Sequence, residues 1–131
     1  MENNSFENKE IEELSAKVTS LMMAERKQRR LNTLESGFYG TLSKAFAYLS
    51  EKKEKALTEG KTDEYMKLVL LEGRLKKDFS YYMQMRMSKI LQYAVYENAR
   101  EWPLEGPEAH WFADASTLYR NAIKEIEGDS L

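Results

Sequence analysis

The chain has 131 residues, 42% of them hydrophobic, which is typical of one globular domain with a modest core. With 22 acidic and 20 basic residues the net charge is −2, so the chain as a whole has no electrostatic attraction to nucleic acid or anionic lipid. It contains no cysteine, which excludes disulfides and thiolate chemistry and fits a reducing compartment.

The hydropathy pattern predicts an all-α protein that does not enter a membrane. The first nine residues are largely polar and include acids, unlike a signal peptide, and no apolar run approaches the roughly 18 residues that a membrane span needs. Six glycines and two prolines, beside abundant Leu, Met, Glu, Lys and Ala, favour a bundle of four to five helices.

The first predicted helix covers residues 8–31. Its apolar residues recur at alternating spacings of three and four, which places them on one face, and Glu25 continues the same stripe. The residues of this seam that we expect to contact another chain are Leu14, Val18, Leu21 and Met22. Basic residues close the helix, where the helix dipole favours them; a binding patch is the alternative interpretation. They are Arg26, Lys27, Arg29 and Arg30.

Two further helices are predicted before residue 101. The second starts at Phe38 and stops near Gly60. The third starts at Asp63, after Thr62 as N-cap, and runs to about residue 100, since Gly73 is its only helix-weakening residue; a kink or break at Gly73 is the alternative. At 1.5 Å per residue this central helix would be about 55 Å long.

The long helix is apolar on more than one face, which favours burial on more than one side and partly against another chain. Its second half is crowded with tyrosine and methionine, which are enriched in protein interfaces. The side chains expected to contact a partner are Tyr82, Met85, Tyr93 and Tyr96. Those assigned to the chain's own core are Phe38, Phe46, Leu75, Phe79, Ile90 and Leu91. Arg86 is expected to pair with an acid on another helix, because a buried unpaired guanidinium is very costly.

A loop with two prolines, residues 102–107, precedes the last predicted helix. Pro107 suits the first position of that helix, and Gly128 ends it. One face of the helix is apolar, with Trp111, Ala115, Leu118, Ala122 and Ile126 along it and Phe112, Tyr119 and Ile123 on its flank. We therefore expect a single helical domain over residues 1–128 and a short tail over residues 129–131.

The sequence contains no pattern that predicts catalysis. His110 is the only histidine, which rules out a two-histidine metal site within one chain, and no glycine-rich phosphate-binding loop is present. We predict no catalytic residue, no metal and no cofactor.

Several short patterns follow one another in a particular order. They are a basic helix end leading through Leu34-Glu35 to Phe38-Tyr39, then Asp63-Glu64-Tyr65, then Arg86-x-x-Lys89-Ile90-Leu91 with Ala94, and finally Glu108, Phe112 and Tyr119. In this order they resemble the helical domain of GINS, the four-subunit scaffold of archaeal and eukaryotic replicative helicases. The arrangement is similar to the archaeal class in which the helices precede a small β-domain, and that β-domain is absent from this sequence.

The resemblance implies a non-catalytic scaffold subunit of a DNA replication complex. Its expected partners are sister GINS subunits in a homo- or hetero-tetramer, the MCM helicase and a RecJ-family protein, with weak or absent direct binding of nucleic acid. It implies a cytoplasmic, nucleoid-associated protein, or a nuclear one in a eukaryote. The alternatives are a small helical nucleic-acid-binding regulator, using the basic patch and residues 74–77, and a generic coiled-coil adaptor or helical-bundle enzyme.

Overall fold

The computed structural model describes residues 8–96 and 102–128. These residues form four helices and no strand, which confirms the predicted all-α class. The helices are α1 (Asn8–Lys27), α2 (Phe38–Thr58), α3 (Thr62–Tyr96) and α4 (Glu108–Glu127). Within the described ranges, none of the helices is both long enough and apolar enough to cross a membrane.

The helix boundaries follow the local sequence with one correction. α1 ends at Lys27 and not at residue 31, because the chain turns there and the side chain of Lys89 binds the carbonyl oxygens of Glu25 and Arg30. α3 continues through Gly73 as one helix, and its predicted last residues, 97–100, lie outside the described part. Gly128 ends α4 with a φ of 69°, a left-handed conformation that glycine adopts without strain.

α3 is the central helix, and each of the other three packs against it. One core cluster joins α1 and α2 to the first two-thirds of α3, and a second joins the end of α3 to α4 and to the two loops nearby. Each large apolar side chain that is fully buried in these clusters stabilises the fold by about 1.5–3 kcal/mol. The shared central helix therefore couples α4 to the rest of the bundle.

The predicted core is confirmed at most positions. Phe38, Leu75 and Ile90 are buried, while Phe46 and Phe79 are half-buried and meet edge to face. Leu91 was placed in the core and is instead 49% exposed. Adjacent residues of a helix point about 100° apart. Ile90 occupies the core direction, so its neighbour faces outward.

Candidate functional site

A buried arginine joins three of the four helices. Arg86, on α3, has no exposed side-chain surface. It donates two parallel hydrogen bonds to Glu108 at the start of α4, from Nε to Oε2 at 2.6 Å and from Nη2 to Oε1 at 2.7 Å. Its Nη1 donates to Glu25 Oε1 on α1 at 3.1 Å and to the carbonyl oxygen of Asn32 at 2.7 Å. The prediction that Arg86 pairs with an acid on another helix is confirmed, with two acids in place of one.

Glu108 adds the second helix to this network. Its carboxylate also accepts hydrogen bonds from the Tyr39 hydroxyl on α2 and from the backbone N–H of Glu105 at 2.8 Å. The latter contact resembles a capping box, because a side chain in the first turn of α4 satisfies a free amide at its start. The Glu105 carboxylate in turn accepts a hydrogen bond of 2.8 Å from the backbone N–H of Gly37, which connects the loop before α4 to the start of α2.

Glu25 and Lys89 complete the network. Lys89 Nζ donates to Glu25 Oε2 at 2.6 Å, and the same carboxylate oxygen accepts the backbone N–H of Asn32 at 3.1 Å. We call Tyr39, Glu25, Arg86, Lys89 and Glu108 the Arg86 cluster. Its two carboxylates balance its two cations, so the cluster is neutral overall. This balance matters because a buried charge without a partner costs several kcal/mol.

The environment raises the pKa of three groups in or beside the cluster. Burial by itself lowers the pKa of Arg86, but the hydrogen bonds and negative charge of Glu108 outweigh it and raise that pKa above its usual value. Burial, together with Glu108, raises the pKa of Tyr39 well above its ordinary range. Burial also raises the pKa of Tyr82 to about 12, although the nearby charge of Arg86 opposes this shift. The arginine therefore stays charged and both phenols stay protonated at neutral pH.

Four of the residues predicted to contact a partner are covered by their own chain. Val18 and Tyr82 have no exposed surface, and Leu14 and Tyr93 are also buried. Tyr93 stacks on Trp102, with ring centroids 3.5 Å apart, and its hydroxyl oxygen accepts the backbone N–H of Leu31 at 2.7 Å. These four side chains are thus core residues, because the helices and loops of their own chain enclose them.

The remaining predicted contact residues are only partly accessible. Leu21, Met22 and Met85 are half-buried, and the side chain of Tyr96 lies outside the described residues. Large apolar side chains are exposed at single positions of α1 and α2, at several of α3, including Leu70, and along the second half of α4, where four of them lie within nine residues.

Every residue from Thr117 to Gly128 is exposed, which covers the second half of α4 and the glycine that ends it. Leu118 is 70% exposed and Ile126 is 85% exposed. The exposed apolar residues of this half recur every three or four positions, and we call them the α4 apolar face: Leu118, Tyr119, Ala122, Ile123 and Ile126. In the first half of the helix, by contrast, Phe112 is buried and Trp111 and Ala115 are half-buried. Among the described residues, the predicted apolar side of α4 is therefore covered along only half of its length.

The basic patch is exposed and partly surrounds a cleft. Arg26, Lys27, Arg29 and Arg30 are all exposed. Arg26 and Arg29 line a cleft of about 620 Å³ between the end of α1 and α3. Arg30 is not among the residues that line the cleft, and its guanidinium lies 5.8 Å from the ring centre of Trp102. Of the four cations of the patch, two therefore line the cleft, one packs on an aromatic ring, and Lys27 is exposed away from the cleft lining.

His110 lies on the surface beside Asp114, with 3.2 Å between Nε2 and Oδ2. Across residues 8–96 and 102–128, no group of three or more histidine, aspartate or glutamate side chains is arranged to hold a metal ion.

No protein-family model, no curated protein and no solved structure matches this chain.

The sequence carries a signal for Glu25 as a buried member of the Arg86 cluster. Glu25 follows Leu21 at a spacing of four on the apolar stripe of α1, a position that faces the core. A carboxylate at such a position predicts a buried cation opposite it. Glu108 has a weaker signal, an acid in the first turn after Pro107, because the helix dipole alone explains an acid there.

Proposed function

We propose that this chain is a non-catalytic scaffold subunit of a GINS-like DNA replication complex, which acts through helix–helix interfaces. The observation that carries the proposal is the α4 apolar face, an amphipathic half-helix with no covering element from its own chain among the described residues. In a protein that works alone, a contiguous apolar face of this kind is unfavourable, and such faces mark interfaces.

The size of this face indicates what a partner must supply. Complete burial of Leu118 and Ile126 would contribute about 3–6 kcal/mol, whereas association costs roughly 4–15 kcal/mol in lost freedom of motion. A stable complex therefore needs additional apolar surface. Leu91 and Val95, which are exposed near the end of α3, are candidates for it.

The Arg86 cluster supports the same proposal in a different way. It fixes the first turn of α4 to α2 and α3 through Glu108, and Arg86 extends this link to Glu25 on α1. The second half of the helix is therefore presented in a defined direction without cover from the bundle. A scaffold needs this combination of a rigid base and an uncovered face.

The proposed partners are sister GINS subunits in a homo- or hetero-tetramer, with the MCM helicase and a RecJ-family protein as the factors that the assembled scaffold bridges. They follow from the order of sequence patterns described above together with the uncovered face. The proposed location is that of a replication complex, at the nucleoid or, in a eukaryote, in the nucleus.

The test is an assembly measurement with a matched pair of variants. Light scattering on the chain, alone and mixed with candidate sister subunits, is expected to give a defined tetramer. The double variant Leu118→Asp, Ile126→Asp should lose the tetramer, because two charges would be buried without partners, while its helix content and unfolding midpoint stay unchanged. The control, Thr117→Asp with Asn121→Asp, places the same charges outside the apolar face and should assemble normally.

A monomer that recruits no sister subunit would contradict the proposal. Equal assembly by both double variants would show that the interface lies elsewhere on the molecule. A tetramer that forms but binds no helicase would reduce the function to that of a generic helical adaptor.

A further inference from the structure

We propose that the cleft between α1 and α3 is a docking site for an acidic peptide segment of a partner protein, with Arg26 and Arg29 as the groups that bind its carboxylates. This site is separate from the α4 apolar face, and the inference does not depend on the scaffold proposal.

The charge of the cleft is the first argument. Among the described residues that line the cleft, Glu25 is the one carboxylate, and it is fully buried and bound by both Arg86 and Lys89. Lys89 is likewise committed, because its ammonium contacts Glu25 and two carbonyl oxygens. The free charge of the cleft is therefore that of its two exposed guanidinium groups, which are positive on a chain whose net charge is negative.

The backbone that carries these two arginines is held in place. Lys89 binds the carbonyl oxygens of Glu25 and Arg30, one on each side of the segment 26–29. Just beyond this segment, the hydroxyl oxygen of Tyr93 accepts a hydrogen bond from the backbone N–H of Leu31. Both anchoring side chains come from α3, which forms the opposite wall of the cleft. Such preorganisation lowers the entropy that a ligand must remove when it binds.

The remaining lining fits a peptide backbone. Three glutamines border the cleft, Gln28, Gln84 and Gln92. An amide side chain both donates and accepts hydrogen bonds, which matches the N–H and C=O groups of an extended peptide. Met85 adds an adaptable apolar contact for a side chain between two acids. Arginine binds carboxylates with two parallel hydrogen bonds, which explains why two arginines suit two acidic side chains.

The same lining argues against a nucleic acid strand as the ligand. Proteins that bind single strands stack the bases on aromatic rings, and among the described residues that line this cleft no side chain is aromatic. Two free cations also neutralise few phosphates, and phosphate neutralisation supplies most of the affinity for nucleic acid.

The experiment is a fluorescence anisotropy titration of the full chain with a labelled peptide of three Asp-Leu-Glu repeats. A peptide with Asn and Gln in place of the acids serves as the neutral probe, and an oligothymidine of similar length serves as the nucleic acid probe. The acidic peptide is expected to bind, the neutral peptide to bind at least about tenfold more weakly, and the oligothymidine not to bind in the same concentration range.

Two charge-matched variants locate the site. Arg26→Gln with Arg29→Gln should weaken binding of the acidic peptide by about tenfold or more, since charge-assisted hydrogen bonds are lost. Arg74→Gln with Lys77→Gln removes the same charge from exposed positions of α3 and should change affinity by less than about twofold. All four residues are exposed, so both variants should keep the circular dichroism spectrum and unfolding midpoint of the parent chain.

Four outcomes would overturn the inference. They are no binding of the acidic peptide, an equal loss of affinity in both variants, equal binding of the neutral peptide, and tighter binding of oligothymidine that depends on Arg26 and Arg29. Failure of peptide binding would leave the tetramer measurement unaffected, so the two proposals are tested independently.

Discussion

The two ends of α4 have opposite environments. At its start, Glu108 is a fully buried carboxylate that contacts α2, α3 and the preceding loop. At its end, Ile126 is an aliphatic side chain that is 85% exposed. The usual distribution, with charges outside and apolar groups inside, is inverted within a single helix of 20 residues.

This contrast separates internal from external interactions. Each charge in the Arg86 cluster has an opposite charge from its own chain within 3.1 Å, so the cluster holds the helices together and leaves little for a partner to add. The α4 apolar face is exposed, from 37% at Tyr119 to 85% at Ile126, so a large part of its free energy of burial is available to another molecule. The charged end determines where the helix points, and the apolar end determines what it can bind.

The largest expected effect comes from removal of the central arginine. Arg86→Ala leaves the carboxylates of Glu25 and Glu108 buried with too few positive partners, and we expect the free energy of unfolding to fall by about 3–5 kcal/mol. Urea unfolding followed by circular dichroism measures this change. Lys77→Ala, at an exposed position of the same helix, is the control and should cost less than about 0.5 kcal/mol.

If Arg86→Ala cost no more than its control, the cluster would not hold the bundle together. Should that variant fail to fold at all, Glu108→Gln keeps the side-chain shape and removes one charge. It is expected to lose about 1.5–3 kcal/mol, the usual contribution of a hydrogen bond between charged groups.

Sequence periodicity predicted the helices because their signals are local. Glycine, proline and the spacing of apolar residues are sufficient to identify α2, α4 and the loop between α3 and α4. The need of Arg86 for a buried acid was also predictable from its position between methionines. The pairing of Arg86 with Glu25 and Glu108 was not predictable, because these acids lie 61 and 22 residues away and reach it only through the packing of three helices.

Which face of α3 is buried was the hardest feature to predict. Its residues 65–71 are apolar on several sides, so the pattern alone does not select one direction. Tyr82 and Tyr93 were therefore placed in an interface although both are core residues, and Leu91 was placed in the core although it is exposed. Only the positions of α1, α2 and α4 against α3 decide these cases.

A smaller effect is expected at alkaline pH from Tyr82. Its pKa is raised to about 12 in the folded chain, against about 10 when unfolded, so its contribution to stability is complete below pH 10 and is lost between pH 10 and 12. In that window it should steepen the loss of stability by up to about 1.4 kcal/mol per pH unit. Tyr82→Phe is expected to remove this added slope in urea titrations at pH 9 to 12.

Tyr81→Phe is the control for this pH effect. Tyr81 is exposed on the same helix, so its removal should leave the slope as it is in the parent chain. If the free energy of unfolding fell equally steeply with pH in Tyr82→Phe and in the parent chain between pH 10 and 12, burial would not raise the pKa of Tyr82.

The smallest expected effect concerns the exposed end of α4. The same substitution, isoleucine to alanine, is compared there and at a buried position of α3. Ile126→Ala should change the free energy of unfolding by less than about 0.5 kcal/mol, because the side chain is already in water and alanine favours a helix slightly more than isoleucine does. Ile90→Ala, fully buried beside the same helix, should cost about 2–5 kcal/mol. Urea unfolding of the isolated chain at low concentration measures both changes. If the two substitutions cost the same amount, the end of α4 is covered by the chain itself, and the apolar surface that the scaffold proposal requires does not exist.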